Sequence, residues 1–123
     1  MTLVTQGKPS RKRSVWGHNT STTTEDVYTC PANCVGEVVY IIVNNSGGST
    51  NSVSVKWYDS SANSGSGYAS GFVEGKSLNA GDYLEFQGIE LVLEPGDKIQ
   101  ITPASSGHID SIITVVETFV PVG

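Results

Sequence analysis

Between Leu91 and Ile101 the chain reads Leu-Val-Leu-Glu-Pro-Gly-Asp-Lys-Ile-Gln-Ile. Leu91 and Leu93 recur at period two, Ile99 and Ile101 resume that alternation, and Pro95-Gly96-Asp97 stands between them. Period-two alternation marks a half-buried strand. Proline presets φ for a turn, glycine accepts positive φ, and aspartate hydrogen-bonds the backbone just beyond it. The predicted local structure is strand, tight turn, strand, a hairpin of an antiparallel sheet that needs no helix. No group in the segment is poised for chemistry, so it points to a scaffold or binding module.

The rest of the chain repeats the pattern. Val27-Tyr28-Thr29 is a short strand, and Glu37 to Val43 a long one whose apolar middle suits a central position. Val53, Val55 and Trp57 alternate with Ser52, Ser54, Lys56 and Tyr58, which turns Trp57 toward a core. Further strands are predicted at 68–74, 76–79, around Leu84 and Phe86, and from Ile109 to Val120. Turns fall at Asn33, Gly47-Gly48, Ala80-Gly81-Asp82 and Ser105-Ser106-Gly107, and a Ser/Gly/Asn loop spans 59–67. Only 15% of the 123 residues are charged, and the abundance of Gly, Ser, Thr and Val suits short strands and many turns. The predicted fold is all-β: an antiparallel β-sandwich, jelly-roll-like, of seven or eight strands at 25–123. No apolar run approaches the roughly 20 residues needed to cross a bilayer, and no secretory leader is expected.

Charge divides the chain. Residues 1–24 hold Lys8, Arg11, Lys12 and Arg13 and no acid, whereas the remainder sets three lysines against twelve acids, for a net charge of −5. An extended basic N-terminal arm over 1–24 is therefore expected, either solvated or bound to something acidic. Four cations without interleaved aromatics, on an acidic body, argue against nucleic acid as the partner. Trp16, beside the cluster, suits an anchor in a partner's pocket. Lys8, Arg11, Lys12, Arg13 and Trp16 are thus the candidate partner-binding residues.

Cys30 and Cys34 flank a turn and allow a local disulfide, two free thiols or half of a metal site. Zinc is disfavoured, because only His18 and His108 could complete the ligand set. The bridge is placed slightly ahead of the thiols. No nucleophile–base pair is evident; His108 and Asp110 have same-face strand spacing but read as a turn histidine beside a solvated carboxylate. No catalytic residue, metal or cofactor is predicted. A carbohydrate-binding sandwich would need an aromatic platform, for which Tyr58 and Tyr68 are the candidates.

Val27 to Asn33, the strand end Val43-Asn44-Asn45, the run Gly88 to Ile99 and the strand Ile109 to Glu117 together resemble small β-sandwich structural proteins of tailed bacteriophages. Asn33 stands where glycine is usual in that pattern, and the cysteines beside the turn are a second departure. The resemblance spans about residues 27–118. It implies a virion component, assembled in the bacterial host cytoplasm, whose partners are other virion proteins (the major capsid protein or neck and tail subunits). Proteins of this kind form symmetric oligomers, often trimers. Head decoration (cement) is the expected role, with a neck, tail or fibre-adaptor subunit as the alternative.

Overall fold

The computed structural model describes residues 9–120. They form eight strands: β1 (Ser10–Asn19), β2 (Glu25–Thr29), β3 (Cys34–Asn45), β4 (Asn51–Asp59), β5 (Tyr68–Leu78), β6 (Tyr83–Leu93), β7 (Lys98–Pro103) and β8 (Ile109–Phe119). A short 3-10 turn at Asn63–Gly65 interrupts the β4–β5 loop. Among the described residues no helix is long and apolar enough to cross a membrane. The strands make two antiparallel sheets, ordered β1-β8-β3-β6 and β2-β7-β4-β5, which is the eight-strand jelly roll.

The core lies between the sheets. Val38, Ile41 and Val43 of β3 and Ile109, Ile113 and Val115 of β8 face Val53 and Val55 of β4 and Ile99 and Ile101 of β7, all fully buried. β-Branched side chains suit this arrangement, because their stiff χ1 rotamers pack well on a pleated surface. Each such burial is worth about 1.5–3 kcal/mol in transfer free energy. A register shift between Val38 and Tyr40 carries the inward face from Val38 to Ile41, so Tyr40 and Ile42 turn outward. Trp57 packs half-buried against the core, as its alternation predicted.

Three elements depart from the sequence expectations. The segment Leu91 to Ile101 is not a hairpin: β6 and β7 belong to opposite sheets, and the turn carries the chain across the sandwich. Leu93, Ile99 and Ile101 do reach one core, but from opposite sides. The turn is held from outside itself: Cys30 N–H donates to Asp97 O (2.8 Å), and Gly96 N–H donates to Cys30 O (3.0 Å). The buried Asp97 carboxylate accepts from Glu94 N–H (3.0 Å), Ser60 N–H (3.0 Å) and Ser60 Oγ (2.8 Å). Gly96 takes φ 88° there. The separate strands at 68–74 and 76–79 are one edge strand, irregularly registered with β4 around Val55.

The largest departure is at the N-terminus. Ser10–Asn19, expected within an extended arm, pairs along its whole length with β8, from Ser10 opposite Thr118 to Asn19 opposite Ile109. Gly17 permits the close approach, since a Cβ there would lie 2.7 Å from Ser111 Oγ and 2.8 Å from Val27 Cγ2.

Neighbouring isoleucines of β8 separate burial from exposure. Ile113→Ala should lower the unfolding free energy by about 2–5 kcal/mol, whereas Ile112→Ala should change it by no more than about 0.5 kcal/mol. Urea denaturation of the two variants checks this contrast.

Candidate assembly surface

The candidate residues of β1 divide by strand parity. Arg11 and Arg13 point to the inner side and converge on Glu117 of β8, a carboxylate with no solvent exposure. Arg11 Nε donates to Glu117 Oε1 (2.7 Å), Arg13 donates through Nε to Oε1 (3.0 Å) and through its terminal nitrogen to Oε2 (2.9 Å), and Tyr28 Oη donates to Oε2 (2.6 Å). The guanidiniums also lie over aromatic rings, Arg11 over Phe119 (5.4 Å) and Arg13 over Tyr28 (5.7 Å). The Arg13 hydrogen bond is foremost in holding the Glu117 carboxyl down at about 2, with Tyr28 and Arg11 adding to it against burial. Burial and the bond to Glu117 push the Tyr28 phenol up. The cluster joins β1 and β8 to β2 of the facing sheet.

Glu117 and Tyr28 were not among the sequence candidates. The signal was present: Glu117 occupies an inward position of a strand whose other inward residues are Ile109, Ser111, Ile113 and Val115. A carboxylate there needs a cation.

Lys12 and Trp16 lie on the opposite, outward side of β1, where Trp16 is 75% exposed. Lys8 lies outside the described residues. Register places Trp16 in a row with Ile112 of β8, Ile42 of β3 and Glu85 of β6, and Lys12 in a row with Val116, Glu37 and Val92. Beside Trp16's row, Ile42, Asn44, Tyr83, Asp110, Ser111 and Ile112 line an apolar hollow of about 250 Å³. A second apolar cleft, of about 310 Å³, opens between β5 and β6 over Trp57, Phe72, Ile89 and Leu91.

Polar groups gather where β1 and β8 meet the loop after β3. His18 Nδ1 pairs with Asp110 Oδ1, and Ser46 Oγ donates to Asp110 Oδ2 (2.7 Å). His108 stacks on His18 at 5.5 Å between ring centroids. The serine thus hydrogen-bonds the Asp110 carboxylate rather than an imidazole. The Ser46 bond, followed by His18, draws the Asp110 carboxyl below its ordinary range. Among the described residues no group of three or more His, Cys, Asp or Glu side chains could hold a metal ion.

Cys30 and Cys34 are buried free thiols rather than the expected bridge. Cys30 Sγ donates to the carbonyls of Cys34 (3.4 Å) and Leu93 (3.6 Å), and Cys34 Sγ donates to Asn33 Oδ1 (3.5 Å). Burial pushes the Cys30 thiol up. Asn33, where glycine is usual in the phage pattern, does not adopt a left-handed conformation; among described non-glycine residues Asn63 and Ser64 do. Asp59 is the residue paired with Tyr68, so alternation sends Tyr58 to the other face, and the two tyrosines share no platform. The Tyr58 ring is covered by Lys98 at 5.2 Å.

No protein-family model and no curated protein matches the chain. Its fold is similar to that of solved structures. One is a subunit described with Bacillus endospore appendages that form a family of disulfide-linked pili: 12% identity over 98% of this chain and 97% of that one, TM-score 0.56. Another is a chain of the acid-stable capsid of Helicobacter pylori bacteriophage KHP30: 12% identity over 94% of each chain, TM-score 0.53. At these identities the likeness establishes the sandwich fold.

The Glu117 cluster makes stability depend on pH with a definite sign. Its folded-state carboxyl lies at about 2 against an ordinary 4.5, so its contribution is complete above pH 4.5 and is lost as pH falls toward 2. Urea midpoints should therefore decline over that window. Glu117→Gln should lower stability at neutral pH by about 3 kcal/mol and flatten part of the decline.

Proposed function

We propose that the chain is a non-enzymatic structural subunit of a virion, and within that class a capsid decoration (cement) protein held to neighbouring subunits through its N-terminal region. The observation that carries this is the pairing of a complete jelly roll with an outward sheet face that displays Trp16, Ile112 and Tyr83 to solvent. Monomeric soluble proteins rarely expose such a set on one face, and contiguous apolar patches mark interaction sites. The end-to-end likeness to a phage capsid chain of similar length supports the class. Arg11 and Arg13 are committed largely to Glu117, so Lys12 and Trp16, together with Lys8, are the residues assigned to a partner.

A neck, tail or fibre-adaptor subunit is the alternative within the class. Outside it, a pilus subunit is favoured by the likeness to the Bacillus appendage protein. A disulfide-linked polymer, however, needs thiols that reach another chain, and both cysteines here are buried.

Quantitative mass spectrometry of purified particles should find hundreds of copies of the chain per particle. A single ring's worth would move it to the neck or tail, and its absence would overturn the virion assignment. Attachment should be tested by deleting residues 1–8, not 1–24. The longer deletion removes β1 and strips Glu117 of its cations, whereas the shorter one retains every described contact of β1. The shortened chain should fold with an unchanged urea midpoint and load poorly onto particles; undiminished loading would refute an anchoring role for those residues.

A further inference from the structure

Seven large apolar side chains are exposed among the described residues, and four of them, Trp16, Tyr83, Val92 and Ile112, lie on one surface. That surface is the outer face of the β1-β8-β3-β6 sheet, on which register and alternation also place Ile42, Lys12, Glu37 and Glu85. The face is asymmetric across its width. The β1 side carries a projecting indole and an exposed lysine, the β3–β6 side carries the Glu37 and Glu85 carboxylates, and the apolar hollow lies between them, lined from β8, β3 and β6.

We propose that this face is the contact surface between two copies of the chain, related by a two-fold axis running along the strands between β8 and β3. Such an axis lays β1 of each copy over β6 of the other while keeping every row opposite its own counterpart. Trp16 then comes down beside the hollow formed by Ile42, Tyr83 and Ile112 of the second copy. Ile112 meets Ile42, and Lys12 lands in the row that holds Glu37. Projection meets recess and cation meets anion, twice over, which is the self-complementarity that a two-fold interface requires.

Stacked sheets are a familiar packing, with about 10 Å between faces. The size is adequate but small. Four strands about 4.8 Å apart and roughly ten residues long span about 600 Å² per copy, or about 1,200 Å² in all, the lower end for a specific interface. A dimer in the micromolar range is expected, with Trp16 as its principal anchor. The proposal rests on the outward residues of β1 being contact residues, but not on the contact occurring in a virion.

The test is sedimentation velocity of the full chain as a function of concentration. At about 100 µM, where an interface of this size is populated, the wild-type chain should be dimeric. Trp16→Ala and Ile112→Asp should each raise the dimer dissociation constant at least tenfold. Phe72→Ala, an exposed residue of β5, should leave it unchanged. Lys12→Glu should weaken the dimer, and the double variant Lys12→Glu, Glu37→Lys should restore it. Urea midpoints of all variants, read at a concentration well below the wild-type dissociation constant, should stay near the wild-type value, which separates lost association from lost folding. Trp16 fluorescence should shift to the blue with concentration in wild type, a shift absent from Trp16→Ala. A wild-type chain that stays monomeric, or an oligomer indifferent to Trp16 and Ile112, overturns the proposal. Dimerisation by a chain that never enters particles would leave the interface standing and remove the virion assignment; particle loading by a monomer would do the reverse.

Discussion

A carboxylate enclosed in a sandwich core must be neutralised or unfold its surroundings, and Glu117 is neutralised by residues from two other strands. Its oxygens accept from Arg11 and Arg13 of β1 and from Tyr28 of β2, so one side chain of β8 binds both its sheet neighbour and the facing sheet. Burying a charge is tolerable when every lone pair has a donor. The arginine heads remain partly in water while their acceptor does not, so of the charged groups only the carboxylate is fully desolvated. The end of the sandwich is thereby closed by polar chemistry where an apolar core would have to taper out.

That closure explains why the first strand escaped sequence analysis. The inward residues of β1 are Arg11, Arg13, Val15, Gly17 and Asn19, and the outward ones include Trp16. Hydrophobic alternation is inverted, and the basic cluster reads as an arm. The strands of the middle of the chain, from Val27 through Trp57 and again from Ile99 to Val115, were legible because their inward residues are β-branched. What alternation could not state is which strand pairs with which. Leu93 and Ile99 look the same to a periodicity argument whether their strands are neighbours in one sheet or face each other across a core. The hydrogen bonds that decide the matter come from Cys30 and Ser60, far away in sequence.

The candidate surface was legible in its members but not in its composition. Trp16 and Lys12 could be singled out from sequence, while Ile42, Tyr83 and Ile112 read as ordinary strand residues. Only register gathers them into rows. Likewise His18 meets Asp110 because β1 pairs with β8, a contact that the local spacing of His108 and Asp110 obscured. The buried thiols show the opposite failure. Spacing allowed a bridge, but burial gave Cys30 and Cys34 separate carbonyl and amide partners.

The position of β8 has a temporal consequence. It is the last of the eight described strands in chain order, yet it lies inside its sheet, between β1 and β3, and supplies Glu117. The N-terminal strand therefore has no partner until residues 109–119 have left the ribosome. Folding dominated by such distant pairings is slow and follows translation. The outward face, whose rows run through Ile112, likewise does not exist before β8 has paired. A chain built this way presents that face only after its most distant strands have met.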